Sequence, residues 1–192
     1  MIAIIQYNAG NTASVKNALD RLGYPCRVTD NADEIRQADK VIFPGVGEAG
    51  SAMRYLQERE LDRLILSLQQ PTLGICLGLQ LMCRFSEEGN TPCLGIFDAE
   101  VKRFPPDDIV PHMGWNNLRD TRSPLFDDFN ANDPVYFVHG YYAAVSEHTI
   151  ATCDYIIPFS AAMQQDNFYA TQFHPEKSGT TGERILKNFL RL

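Results

Sequence analysis

Up to Phe85 the chain alternates between short, uninterrupted apolar runs and amphipathic segments, and this alternation constrains the fold more than any other feature. "IAIIQY", Ile2 to Tyr7, is short, apolar and closed by the turn residues "NAGN", as a buried strand is. "TASVKNALDRLG" follows with Val15, Ala18, Leu19 and Leu22 at helical spacing, Thr12 placed as N-cap and Gly23 as the stop. "CRVTD" predicts a second strand, "ADEIRQA" a short helix and "KVIFPG" a third strand. "EAGSAMRYLQERELDRLILSLQ" predicts one long amphipathic helix, and "TLGI" a fourth strand running into the helix "LGLQLMCRF". Apolar strands without a polar face are covered on both sides, the signature of a mostly parallel sheet in an α/β sandwich.

After Glu87 the pattern changes. "CLGIFDAEVKRF", "HMGWNNL", "DPVYFVHGYYAAV", "TIATCDY" and "FSAAMQQDNFYATQFHPE" predict strands and hairpins, and "GERILKNFLRL" a closing helix. The C-terminal half is therefore expected to add antiparallel strands. No linker-like stretch divides the 192 residues, so a single domain over 1–192 is expected. A net charge of −7 argues against nucleic-acid or anionic-membrane surfaces. No apolar run approaches the ~20 residues that span a bilayer, and "MIAIIQYNAGN" lacks a basic start and a long apolar stretch, so a cytoplasmic protein is expected. The five cysteines have no zinc-type spacing, which predicts reduced thiols, no metal and no cofactor.

Among those cysteines, Cys76 lies in Gly74-Ile-Cys76-Leu-Gly78, at the seam of strand and helix. A nucleophile on such a turn needs neighbours two before and two after without side chains. A helix N-terminus favours the thiolate, and the Leu77 N–H is placed as an oxyanion donor. Taken alone, the five residues fit a small core cysteine equally well.

Two distant segments bear on that choice. In "TQFHPEKS", His174 and Glu176 are two apart, facing one side of an extended chain at about 6.6 Å. Glu176 can hold one ring nitrogen of His174 while the other addresses a thiol, and Pro175 stiffens the step between them. In "FPGVG", the glycines around Val46 free backbone N–H groups for a second oxyanion donor at Val46 or Gly47. Loops after parallel strands gather at the carboxyl end of the sheet, where Cys76 also belongs.

The ordered set "PGVG", "GICLGLQLM", "SEEG", "PHMGWN", "YFVHGYYA" and "FHPEKS" resembles the class I, triad-type glutamine amidotransferases. Within them it is most similar to the glutaminase subunits of imidazole glycerol phosphate synthase, over the whole chain. The resemblance implies a three-layer, flavodoxin-like sandwich. It implies that Cys76 attacks the glutamine amide to form a thioester, with His174 as base and acid and Glu176 orienting it. It also implies oxyanion donors at Leu77, Val46 and Gly47, and glutamine contacts from Gly45, Gln80, Glu88, Gly140 and Tyr141. The implied partner is a separate (β/α)8-barrel cyclase that receives the ammonia. Asn8, Asn11, Met113 and Trp115 are surface candidates for meeting it, although Trp115 fits a core position as well.

Other assignments compete with this one. They are the glutaminase of pyridoxal phosphate synthase, a γ-glutamyl hydrolase, and a noncatalytic binding subunit. "PHMGWN" argues against the first two, and the intact Cys76, His174 and Glu176 against the third. Papain-like proteases place Cys near the N-terminus, unlike this chain. Cys26, Cys93 and Cys153, with Cys83 on the helix after Cys76, are assigned to structure. His112, His139 and His148 lack metal-ligand spacing, and His139 borders the implied glutamine pocket.

Overall fold

A computed structural model describes residues 1–192. The first half contains strands β1 (Ile2–Ile5), β2 (Cys26–Thr29), β3 (Lys40–Gly45) and β4 (Thr72–Cys76). Between and after them come helices α1 (Thr12–Arg21), α2 (Ala32–Gln37), α3 (Ala49–Glu58), α4 (Leu61–Leu66) and α5 (Leu77–Met82). The second half adds β5 (Cys83–Ser86), β6 (Thr91–Pro92), β7 (Phe97–Arg103), β8 (His112–Asn116) and β9 (Val135–His139). Then follow β10 (Tyr141–Ala143), β11 (Thr149–Tyr155), β12 (Ile157–Gln165), β13 (Phe168–Thr171) and α6 (Gly179–Arg191).

A seven-stranded sheet in the order β11-β12-β13-β4-β3-β1-β2 forms the middle layer. Strands β2, β1, β3, β4 and β13 run parallel, while β12 and β11 extend the sheet antiparallel. β1 and β4 are buried along their whole length, which explains their lack of polar alternation. One face packs Ile4, Ile42 and Leu73 against Val15 and Leu19 of α1, Leu186 and Phe189 of α6, and Phe137 of β9. The other packs Ile5, Val41 and Phe43 against Ile35 of α2, Leu56 of α3, Leu64 of α4 and Phe97 of β7. Burying each such side chain stabilises the fold by about 1.5–3 kcal/mol.

The structure departs from the sequence expectations in several places. The long helix is broken: Glu60 adopts φ 55° between α3 and α4. The buried positions Met53 and Leu56 continue at Leu61, Leu64 and Ile65, a step of five that leaves a straight helix's stripe. The break returns the second set to the core. α1 starts at Thr12, with Asn11 at the N-cap position and no side-chain cap. Cys83 is not helical but opens β5, where pairing with Phe97 of β7 overrides the helical pattern. β13 does not simply add to an antiparallel edge. It turns back from β12 at Asp166 and inserts in parallel beside β4.

Candidate active site

β4 delivers Cys76 to the carboxyl end of the sheet in a left-handed conformation, φ 54° and ψ −105°. A non-glycine residue there stores about 1–3 kcal/mol of strain and persists only where its surroundings enforce it. They do so by close approach. A Cβ on Gly78 would collide with the Phe43 carbonyl oxygen, and one on Gly74 would come within 2.9 Å of Met82 Sδ. The elbow is thus pressed onto β3, whose Gly45 lies opposite Cys76 in the register. Leu77 is the first residue of α5, so its N–H has no partner within the helix.

His174 follows β13, the strand next to β4, and is 1 % exposed. Its backbone N–H donates to Tyr136 O at 2.9 Å. Ser178 Oγ straps the same turn to β9, donating to His174 O at 2.7 Å and accepting from Tyr136 N at 2.9 Å. Glu176 is not in extended chain as expected. Pro175–Lys177 forms a 3-10 turn, and the turn brings Glu176 Oε1 to 2.8 Å from His174 Nδ1. Asn11 Nδ2 donates to the same oxygen at 3.1 Å. With Nδ1–H directed at a carboxylate, the Nε2 lone pair is free, and this buried atom has no hydrogen-bond partner within the chain. Burial disfavours the charged ring. The Cys76 sulfur and Glu176 carboxylate outweigh it and raise the His174 pKa well above the ordinary histidine range. The arrangement can take a proton from Cys76 and hold it.

A cavity of ≈ 300 Å³ opens over Cys76, lined also by Val46, Gly47, Leu77, Gln80, Glu88, Gly140 and Tyr141, with Pro111, Val138 and His139 completing the wall. Seven of the sequence-predicted ligand contacts are thereby brought together around the sulfur. Gly45 is not among the lining residues. Its bare Cα instead leaves room for the buried Tyr7 hydroxyl, which a Cβ would meet. Gln80 Nε2 donates to Tyr141 O at 3.0 Å and to Gln172 Oε1 at 3.1 Å, so only its oxygen is left for a ligand. Glu88 Oε2 accepts from Ala49 N at 2.8 Å, leaving Oε1. Burial holds the Glu88 carboxyl above its usual range, partly offset by the Ala49 bond.

Sequence reasoning left His139 without a role. Its Nδ1 donates to Tyr141 O at 2.7 Å, and its Nε2 accepts from His112 Nδ1 at 3.1 Å. Because a carbonyl only accepts, both tautomers are set by this chain of bonds. Burial lowers His112 to about 4 and His139 to about 3, so both are neutral at ordinary pH. Together they pin the Gly140–Tyr141 wall to β8. Gln172 was also missed. It is fully buried, and its Nε2 lies 3.7 Å from Cys76 Sγ.

The four surface candidates separate. Met113 and Trp115 are 63 % and 57 % exposed on β8, opposite in alternation to the buried His112, so Trp115 is not a core residue. Asn8 is exposed and donates to Ser51 O at 3.2 Å. Asn11 is turned inward to Glu176. All five cysteines are free thiols. Burial pushes Cys93 and Cys153 up to about 12 and Cys83 higher still, which makes them poor nucleophiles. No cluster of three or more His, Cys, Asp or Glu side chains could hold a metal ion, and no helix is long and apolar enough to cross a membrane.

Residues 3–192 match the family model described as glutamine amidotransferase class-I. The imidazole glycerol phosphate synthase subunit HisH of Bacteroides fragilis (strain YCH46) is 61% identical over 194 residues, covering 100% of this chain and 99% of that protein. The subunit of the same name from Haemophilus influenzae (strain Rd) is 48% identical over 191 residues, covering 98% and 96%. A crystal structure of a glutamine amidotransferase superposes with a TM-score of 0.73 over 99% of this chain and 97% of that one, at 20% identity.

Proposed function

The chain belongs to the class I glutamine amidotransferases and, within them, to the HisH subunits of imidazole glycerol phosphate synthase, and from that premise we propose how its residues release ammonia from glutamine. The observation that carries the reading is the left-handed Cys76 under the cavity, with the buried His174–Glu176 pair beside it. Glutamine enters with its side-chain amide over the sulfur. The Gln80 and Glu88 oxygens left free of internal bonds are acceptors, and they suit the α-ammonium group. Backbone of Gly140 and Tyr141 closes the opposite wall.

His174 Nε2 takes the thiol proton, and the sulfur attacks the amide carbon. The charge that develops on the carbonyl oxygen is met by the Leu77 N–H and an N–H of the Val46–Gly47 turn, each such donor being worth about 10²–10³ in rate. His174 then returns the proton to the departing nitrogen as ammonia leaves, giving a γ-glutamyl thioester. Water, deprotonated by the same nitrogen, hydrolyses the thioester to glutamate. Glu176 keeps the ring in the right tautomer and balances its charge. The whole chain acts as one glutaminase domain in the cytoplasm.

The ammonia passes to a partner subunit, which we read as a (β/α)8-barrel cyclase forming imidazole glycerol phosphate and aminoimidazole carboxamide ribonucleotide in histidine biosynthesis. Exposed Met113 and Trp115 support β8 as part of the docking face. The mobile part of the cycle is the "PGVG" peptide, whose oxyanion N–H turns inward in the stimulated complex. A glutaminase assay with and without that cyclase and its nucleotide tests the reading. Stimulation by both is expected, and equal turnover without them counts against it.

A further inference from the structure

Gln172 is fully buried two residues before His174, and the chemistry above gives it no part. Its side chain touches two groups: Nε2 stands 3.7 Å from Cys76 Sγ, and Oε1 accepts from Gln80 Nε2 at 3.1 Å. Resting on the reading of Cys76 as the nucleophile, we propose that Gln172 is a second catalytic partner of the sulfur, donating its amide N–H as negative charge gathers there and tying that donor to the substrate-reading Gln80.

The direction of this bond is fixed from outside. An amide can be turned with its oxygen and nitrogen exchanged, so its neighbours must decide. The Tyr141 carbonyl only accepts, and Gln80 Nε2 is 3.0 Å from it, so Gln80 presents its N–H groups there. The same nitrogen faces Gln172, which must answer with its oxygen. The Gln172 nitrogen is left toward the sulfur. The opposite orientation would set donor against donor where no water can relieve it.

The remaining polar neighbour of the sulfur suits the thiol but not the anion. Cys76 Sγ–H points to Val138 O at 3.9 Å, a carbonyl that can only accept. In the first step the S–H bond breaks, the proton moves to His174 Nε2, and the electron pair left on sulfur attacks the amide carbon. Val138 O then faces a negative sulfur with nothing to give it. The Gln172 N–H is the side-chain donor beside His174 that can. Because Gln80 and Gln172 are joined, a glutamine held by Gln80 also arrives at a set distance from the sulfur.

Two variants of the full chain, assayed with its stimulating partner, test this. Gln172→Met keeps the length and removes the donor, whereas Gln172→Glu keeps the shape and puts a carboxylate oxygen near the sulfur. Alkylation of Cys76 by iodoacetamide, followed by peptide mapping across pH, reads the thiol directly. In Gln172→Met the midpoint is expected to move up by about one pH unit and kcat to fall about 10- to 100-fold, with a smaller change in KM. Gln172→Glu is expected to shift the midpoint further, and it supplies the test if Gln172→Met does not fold. A native midpoint in a folded variant overturns the proposal, even if kcat falls, because Gln172 would then act only through Gln80. Glutamine turnover surviving in Cys76→Ala would instead sink the site itself, a distinct result.

Discussion

Asn11 Nδ2 lies 3.1 Å from Glu176 Oε1, the oxygen that also holds the His174 ring at 2.8 Å. A residue on the loop before α1 thus orients the carboxylate that holds the His174 ring. Asn11→Ala is expected to lower kcat about 3- to 10-fold while leaving affinity for the partner subunit unchanged, since it removes one hydrogen bond to a charged group. Steady-state kinetics combined with a binding titration separate the two. Weakened partner binding with an intact kcat would return Asn11 to the docking face.

Glu176 has one oxygen bonded to Asn11 and His174 and the other buried without a partner. Replacing it with Gln keeps the size but lets an N–H oppose the ring N–H. Glutaminase kcat should fall by about 10²–10⁴ with little change in KM. A loss below tenfold would mean that the ring is held by its backbone straps alone.

The elbow depends on Gly78. Since an added Cβ would strike the Phe43 carbonyl, Gly78→Ala should separate β3 from α5 and destabilise the chain by about 1–3 kcal/mol. Urea unfolding reads this as a lower midpoint at unchanged slope. An unchanged midpoint would show that the β3 backbone moves aside without cost.

His112 and His139, held neutral by burial, should make stability fall on acidification. An unfolded histidine takes up a proton near pH 6.5, whereas these do so only near about 4 and about 3. In the window between, the unfolded chain binds more protons, so stability is full above pH 6.5 and declines as pH drops toward 4. His174, raised by its partners, works the other way: its contribution is present below 6.5 and declines as pH rises above it. Calorimetric Tm at pH 7, 5.5 and 4.5 should trace the acid decline, with a shallower slope in His112→Phe. Equal slopes in both proteins would assign the loss to other groups.

Trp115 is the single tryptophan, more than half exposed, with the Tyr136 ring against its edge at 5.7 Å. Its emission should shift to the blue when the partner subunit covers it. Trp115→Ala should weaken the complex by about 2 kcal/mol or more, as buried aromatic anchors do. Emission that does not change on saturation would place the interface elsewhere.

The frame of this fold was legible because parallel strands carry their burial in plain apolar runs: "KVIFPG" predicts β3 residue for residue. The broken helix was legible only in part. Its five-residue step from Leu56 to Leu61 is written in the sequence but is masked by good helix formers on both sides. Cys83 was misread because pairing with β7, distant in sequence, decided its conformation. In the site, local motifs singled out Cys76, His174 and Glu176, and the structure sets Cys76 under a cavity and Glu176 against the His174 ring. Alternation carried one step back from His174 reaches Gln172, so that signal was present. Asn11 gave none, because a contact across the gap between α1 and the last turn has no local trace.

The strand order has a further consequence, in time. Cys76 ends β4, yet its neighbour in the sheet, β13, and His174 just beyond it come far later in the chain. In synthesis Cys76 therefore emerges before the strand that carries His174 to its side. The juxtaposition of Cys76 and His174 thus requires β13 to be in place beside β4.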